Sequence, residues 1–360
     1  DNKDYVIKNE HNRSLINHLI EVNGKNRNEH LRTRLVVAKE LYKIMSQRQI
    51  MSLISRIQIK REIPVKYSYL GQGAKYWDKQ YSSKAYSSRF GNSNTYFLNS
   101  LYTIITDYFE DEKINVIDIG AGNSEPTLPF LKRLIDEDRL NKYVTIDISK
   151  TMLAISKQHF LKAGLEEKYL VQRQLDYESN SIDDFLYEMK SSGREAHTPN
   201  LLLMLDSSLG NTNTPNKVLQ TIQSGMFSND FLCISSAHDN VKTRGVFQEY
   251  ESKDNHKRKL YIPHLLGLSK KHYEIEKVYN EILKRKEYNL IMKEGVTIVF
   301  DQIETKPEVS LLKGEKLNLW YYQRDTVSSI NDKANACDLE IRMVLRNPKA
   351  SSIIYMLGLE

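Results

Sequence analysis

From Glu29 to Ile59 the apolar residues Leu31, Leu35, Leu41/Tyr42, Ile44/Met45, Ile50, Leu53/Ile54 and Ile57 recur at helical spacing, with Arg32, Arg34, Lys39, Lys43 and Arg48 largely between them. That pattern predicts an amphipathic helix or helix pair, packed against the body or against a second protomer. Ile63-Pro64 breaks it. Residues 66–92 carry five tyrosines and many serines, an aromatic density that suggests a wall lining something, and helix resumes over Tyr96–Phe109. The periodicity then changes. Residues 114–235 alternate strand-like runs (114–119, 143–148, 168–174, 201–205, 231–235) with helices such as Thr127–Asp136 and Lys150–Ala163. The runs Asn200–Leu205 and Phe231–Ser235 are nearly continuous in apolar residues and read as central strands buried on both faces. A doubly wound parallel α/β sheet follows, with ligands expected at the carboxyl ends of its strands. After Ala237 the chain turns charged, and 238–295 reads as mostly helical. Strand-like runs return at 295–303, 317–322, 339–346 and 351–357, the last two flanking the turn Asn347-Pro348-Lys349-Ala350.

Composition narrows the class. Forty per cent hydrophobic and 27% charged residues are ordinary for a globular protein. No apolar run reaches the roughly 18 residues of a membrane helix. The start shows no signal-peptide pattern, and two cysteines, Cys233 and Cys337, fit a reducing cytoplasm. The nine histidines lack ligand-like spacing, so no metal is expected. Residues 1–66 hold 14 Lys/Arg against 7 Asp/Glu, a local excess of +7, so the other 294 residues sum to −1 within the net +6. This basic stretch reads as a solvated helix face; without interleaved aromatics it makes nucleic acid an unlikely partner.

The chemistry sits at the strand ends. Asn115-Val116-Ile117-Asp118-Ile119 empties into Gly120-Ala121-Gly122-Asn123-Ser124-Glu125, and the next strand ends at Asp147. A glycine turn lets backbone approach a nucleoside, and a strand-end carboxylate accepts two ribose hydroxyls. A plain βα turn and a helix N-cap before Ser149-Lys150-Thr151 are the structural alternatives. The third glycine of the dinucleotide fingerprint is replaced by Glu125, which disfavours a pyrophosphate and favours S-adenosylmethionine. Asp176-Tyr177, past the third strand, suits adenine: an acceptor for its exocyclic amine and a ring over the base.

With Leu205-Asp206-Ser207-Ser208-Leu209-Gly210-Asn211 at the fourth strand, these motifs resemble the histidine-specific Nα-methyltransferase family of ergothioneine biosynthesis. Lys66-Tyr67-Ser68-Tyr69, Gly73, Tyr76-Trp77-Asp78, Tyr86, Tyr250 and the C-terminal hairpin extend the resemblance over about residues 64–360. It implies a Rossmann-like domain that binds S-adenosylmethionine. A second, substrate-binding domain comes from the N-terminal segment and an insertion after the fifth strand. The division is then an N-terminal extension and substrate segment (1–92), the cofactor domain (93–237), the insertion (238–322) and a returning C-terminal part (323–360). By the same resemblance Gly120, Gly122, Asp147, Asp176, Tyr177 and Tyr86 hold the cofactor. Tyr69, Asn211 and Tyr250 hold the amino and carboxylate groups of an amino acid, with Tyr86, Asn211 and Tyr250 nearest the chemistry.

Three departures stand out: Pro126 where the family carries a lysine, an N-terminal extension of about 30 residues, and Trp320 and Tyr322 where a glutamate and a serine bind the imidazole. Loss of hydrogen-bonding groups for a polar ring forfeits much of its recognition, so the acceptor need not be histidine. The expectation is N-methylation of an amino-acid-like amine, with Trp320 and Tyr322 beside its side chain. A peptide or biosynthetic intermediate, or a non-catalytic binding relative, are the alternatives. Alignment and water exclusion carry most of such a transfer; a base is optional, with Asp206 or a tyrosine in reach. A homo-oligomer through the N-terminal helix is also expected.

Overall fold

The computed structural model describes residues 32–83, 92–110, 112–191, 198–206, 208–237, 252–347 and 352–360. The chain opens with strand β1 (Thr33–Val36), helix α1 (Lys39–Ile44) and helix α2 (Gln47–Lys60). The expected helical stretch is therefore interrupted by a strand at its start. Helix α2 has the predicted face: Ile50, Leu53, Ile54 and Ile57 are buried, one stripe at i, i+3, i+4, i+7. A reciprocal capping box between Ser46 and Gln49 starts it, and Arg61 in the left-handed region (φ 52°) ends it. A 3₁₀ turn (Val65–Tyr69) and helix α3 (Gln72–Tyr81) occupy much of the tyrosine-rich stretch.

Helix α4 (Asn92–Phe109) leads into strand β2 (Ile114–Ile119), helix α5 (Leu128–Asp136), strand β3 (Leu140–Asp147), helix α6 (Lys150–Lys162), strand β4 (Leu170–Gln174), helix α7 (Asp183–Ser191), strand β5 (Asn200–Met204), helix α8 (Pro215–Gln223) and strand β6 (Phe231–Ala237). Helices α9 (Lys253–Lys259) and α10 (Tyr261–Leu265) follow, then strands β7 (Tyr273–Asn280), β8 (Arg285–Met292), β9 (Val296–Val299), β10 (Glu308–Leu311) and β11 (Lys316–Gln323), helix α11 (Val327–Asn335) and strands β12 (Leu339–Arg346) and β13 (Ser352–Leu359). Residues 273–292 are thus a β-hairpin, where the charge pattern predicted helix.

Among the described residues, seven strands form the main sheet in the order β12-β13-β6-β5-β2-β3-β4. β2 to β6 run parallel, and β13 is antiparallel to both β6 and β12. This is the predicted Rossmann-like α/β sheet with an antiparallel C-terminal hairpin. Alternation supplies two cores: Ile117, Ile119, Leu202 and Met204 pack into one face, Val116, Leu201 and Leu203 into the other. Each fully buried Leu or Ile contributes roughly 1.5–3 kcal/mol. Strand order reverses between β2 and β5, and a crevice opens at such a switch point outside the carboxyl ends.

Two three-stranded sheets lie apart from the main one. One pairs β1 parallel to β9 and β10 antiparallel to it; the other orders β11-β8-β7. They share a third core with α1, α2 and α10, including Leu41, Leu53, Ile57, Leu266, Leu290 and Phe300. The α2 stripe therefore packs on the body of its own chain. Among the described residues, no helix is long and apolar enough to cross a membrane, and no group of His, Cys, Asp and Glu could hold a metal ion.

Candidate functional site

The switch point holds a cavity open to solvent, with walls from the ends of β2, β3, β4 and β5 and from the segment 65–77. Gly120 and Gly122 adopt φ of +73° and +56°, the left-handed region that favours glycine. A Cβ at Gly120 would sit 3.1 Å from Ser208 Oγ, and one at Gly122 3.2 Å from Trp77 Nε1. The turn therefore presents bare backbone to the cavity, between the β5 loop and α3.

Asp147 ends β3 as a buried carboxylate. Its Oδ2 accepts from Gly122 N at 3.3 Å and its Oδ1 from Ser149 N at 2.9 Å. Burial pushes its pKa up to about 6, against those backbone donors. The N-cap of α6 is Ser149, which accepts from Met152 N. Asp147 therefore does not cap the helix, and it faces the cavity from beside the glycine turn.

Asp176 and Tyr177 complete that side. Lys66 Nζ donates to both oxygens of Asp176, at 3.0 and 2.8 Å, and lies 3.5 Å from Glu178. Burial works against the Lys66 charge, but Glu178 and Asp176 outweigh it and raise its pKa. Burial also raises the Tyr177 phenol, which stays neutral, and its ring packs on the core. The segment bearing Tyr69 is thereby tied to the Asp176-Tyr177 side of the crevice.

Tyr69 meets Trp77 edge-to-face at 5.7 Å. The buried guanidinium of Arg258 lies over Tyr69 at 4.6 Å and over Trp77 at 5.3 Å. It also donates to Ser68 Oγ and Asn255 Oδ1, each at 2.9 Å. Helix α9 thus braces this aromatic wall. Behind it His159 bridges Asp78 (2.9 Å) and Glu125 (3.2 Å), pinning α3 to α6 and the glycine turn.

Across the cavity, Asn211 closes a 3₁₀ turn after β5. Its Oδ1 is buried and has no hydrogen-bond partner among the described residues. A buried acceptor without a donor costs roughly 1–3 kcal/mol, which a bound N–H would relieve. Asn211 is not a helix cap, since Thr214 occupies that position before α8.

Gly120, Gly122, Asp147, Asp176, Tyr177, Tyr69 and Asn211 therefore share one cavity. Trp320 and Tyr322 lie outside its lining, stacked on each other at 6.0 Å on β11. They adjoin the Asn211 turn: a Cβ at Gly210 would be 3.6 Å from the Tyr322 ring and 2.7 Å from Gln323 O. Lys259 lies 4.5 Å above the Trp320 ring. Tyr86 and Tyr250 fall outside the described residues.

Sequence reasoning passed over Lys66, Trp77 and Arg258 as site residues, and over Asp118. Asp118 is buried in the cavity floor and accepts from Thr127 Oγ1 and Tyr143 OH, both at 3.0 Å. Burial, only partly offset by those donors, pushes its pKa up to about 7. An acid within a strand buried along its whole length was the available signal.

Solved structures of similar shape share little sequence. Magnesium protoporphyrin IX methyltransferase from Synechocystis PCC 6803, with bound SAH, is 10% identical with TM-score 0.45, over 82% of this chain and 98% of that one. The 1,6-didemethyltoxoflavin-N1-methyltransferase of Burkholderia thailandensis is 9% identical with TM-score 0.41, over 88% and 91%. A glycopeptide N-methyltransferase complexed with S-adenosylmethionine is 8% identical with TM-score 0.37, over 72% and 93%. No curated protein matches the sequence. The sequence model of the histidine-specific, S-adenosylmethionine-dependent methyltransferases matches residues 46–358, and the chain belongs to that family.

Proposed function

We propose that this protein methylates the amine of an amino acid or amino-acid-like acceptor, which need not be histidine. The observation that carries the reading is the buried Asn211 Oδ1 in the wall of the crevice, without a hydrogen-bond partner among the described residues. A carbonyl oxygen there accepts an N–H from the acceptor and orients its nitrogen.

The other wall fits S-adenosylmethionine. Bare backbone at Gly120 and Gly122 makes room that a Cβ would fill, and Asp147 offers a fixed carboxylate at the ribose position. Asp176 keeps acceptor capacity beyond its bonds to Lys66, since each carboxylate oxygen takes two donors. When bound, the cofactor supplies an electrophilic methyl group on a sulfonium. Tyr69, Trp77 and Arg258 wall off the crevice and hold the acceptor in line, which is where such a transfer gains its rate.

Trp320 and Tyr322 support an acceptor other than histidine. They form a stacked aromatic surface, and neither is a carboxylate able to take the imidazole N–H. The test is S-adenosylhomocysteine release across free amino acids, their Nα-acetyl derivatives and short peptides. Release with a free amino acid and silence with its acetylated form supports the reading. Release with histidine as the preferred acceptor removes the argument from Trp320 and Tyr322. Silence throughout removes the reading.

A further inference from the structure

Asp206 stands in the cavity wall in a backbone conformation that disfavours it. Its φ is +50°, in the left-handed region that a side chain with a Cβ occupies at a cost. Strain of this kind persists where the surroundings over-determine it, and it clusters at ligand sites. Here the fixing contact is from α4: Asn94 Nδ2 donates to Asp206 Oδ1 at 2.5 Å, and Asn94 Oδ1 in turn lies 3.4 Å from Ser235 Oγ on β6. Asp206 lines the same cavity as Asn211, five residues on along the same loop.

Acting on Asp206 are neutral Asn94 from α4, the Tyr81 phenol from α3 and the Asp118 carboxyl from β2. None is a cation. An anionic oxygen and an amide oxygen thus line one wall, both able to accept and neither able to repel a positively charged nitrogen.

We propose that Asp206 receives the acceptor amine, anchoring it as the cation and taking the proton it must lose before attack. This rests on the amino-acid methyltransferase reading above. In the first step an N–H bond of R–NH₃⁺ breaks, its electron pair stays on nitrogen, and the proton moves to the Asp206 carboxylate. The nitrogen pair then forms the N–CH₃ bond as the C–S bond of the sulfonium breaks and its pair stays on sulfur. The products are R–NH₂CH₃⁺ and S-adenosylhomocysteine, and Asp206 later loses its proton to solvent. Burial has already moved Asp206 to about 6, which makes it roughly a hundredfold stronger base than an ordinary aspartate.

The backbone supplies a variant that should keep the fold. Asp206→Gly removes the carboxylate and the left-handed strain together, while Asp206→Asn keeps the shape and removes the charge. Both are assayed beside wild type for S-adenosylhomocysteine release with the amino-acid panel, from pH 5.5 to 9, together with melting temperature and calorimetric binding of S-adenosylhomocysteine. The expected result is a melting temperature for Asp206→Gly close to wild type, as relief of the left-handed strain offsets the lost Asn94 bond, and cofactor-product affinity within about threefold. Turnover falls at least a hundredfold in both variants, with loss of the wild-type acid limb near pH 6. Calorimetry with the wild type's best acceptor loses affinity in both variants. Near-wild-type turnover and acid limb in Asp206→Gly overturns the proposal alone. A wild type silent across the panel overturns the acceptor reading and this inference with it.

Discussion

Replacing Lys66 with Met tests how the N-terminal segment is joined to the cofactor crevice. The Lys66 ammonium serves two carboxylates, Asp176 at 2.8 Å and Glu178 at 3.5 Å, with side-chain exposures of 16%, 15% and 10%. Methionine keeps the stem and leaves two like charges facing each other in a poorly solvated place. Removing one partner from a fully buried pair costs about 3–5 kcal/mol. Residual water access, and escape by protonating Glu178, bring the expectation to about 2–3 kcal/mol at pH 7.5. The pH dependence has a definite sign. Lys66, with its pKa raised, is charged throughout pH 5–8 and its stabilisation is lost only above its unfolded value of 10.5. Glu178 is already raised, by burial first, with Lys66 opposing; without Lys66 it rises further. The variant's deficit therefore grows with pH and shrinks toward about 1 kcal/mol near pH 5. Urea denaturation at pH 5.5 and 7.5 measures it, calorimetry with S-adenosylhomocysteine should show about tenfold weaker binding, and Lys66→Arg should recover most of both. A deficit below about 0.5 kcal/mol at both pH values would mean a solvent-screened pair and would refute the reasoning.

Other consequences are as open to measurement. Gly122→Ala imposes a left-handed alanine and a 3.2 Å approach to Trp77 Nε1; a loss of about 1–2 kcal/mol in thermal unfolding is expected, with weaker S-adenosylhomocysteine binding. On the proposed role, Asp147 takes the ribose hydroxyls as a carboxylate, and burial pushes its pKa up to about 6. Calorimetric affinity should accordingly fall as pH drops through 6, while Asp147→Asn binds weakly with a flatter profile. In the ligand-free protein the same raised pKa favours the folded state at low pH, a contribution lost as pH rises from about 4 to 6; a stability optimum displaced upward by this group would contradict it. Arg258→Met keeps the stem but loses two charged hydrogen bonds and two ring contacts. A cost of about 2–4 kcal/mol in denaturation is expected, with a raised KM for the acceptor.

The parallel sheet was legible because its strands are buried on both faces, and continuous runs such as Leu201–Leu205 leave little choice of structure. That the glycine turn and the strand-end acids gather in one cavity was legible from their places just past the carboxyl ends of successive strands. The hairpin 273–292 was not. Its Lys and Glu content favours helix locally, its turn at 281–284 holds no glycine or proline, and Lys284 takes the left-handed position instead (φ 49°). β1 was lost for another reason: its partner, β9, lies some 260 residues along the chain, and four residues carry too little period to reveal a non-local pairing. Lys66, Trp77, Arg258 and the strain at Asp206 needed tertiary structure, because each matters through a neighbour distant in sequence. Asp147 was weighed against a helix cap; Ser149 settles that contest by capping α6 itself.

The central claim is that Asn211 serves the acceptor while the glycine turn and Asp147 serve the cofactor. Asn211→Ala, compared with wild type for S-adenosylhomocysteine release on the best amino-acid acceptor and for calorimetric binding of S-adenosylhomocysteine, tests it most directly. The account predicts acceptor KM raised at least tenfold, about 1.4 kcal/mol, with cofactor-product affinity within about twofold. Loss of S-adenosylhomocysteine binding with the acceptor KM unchanged would contradict it.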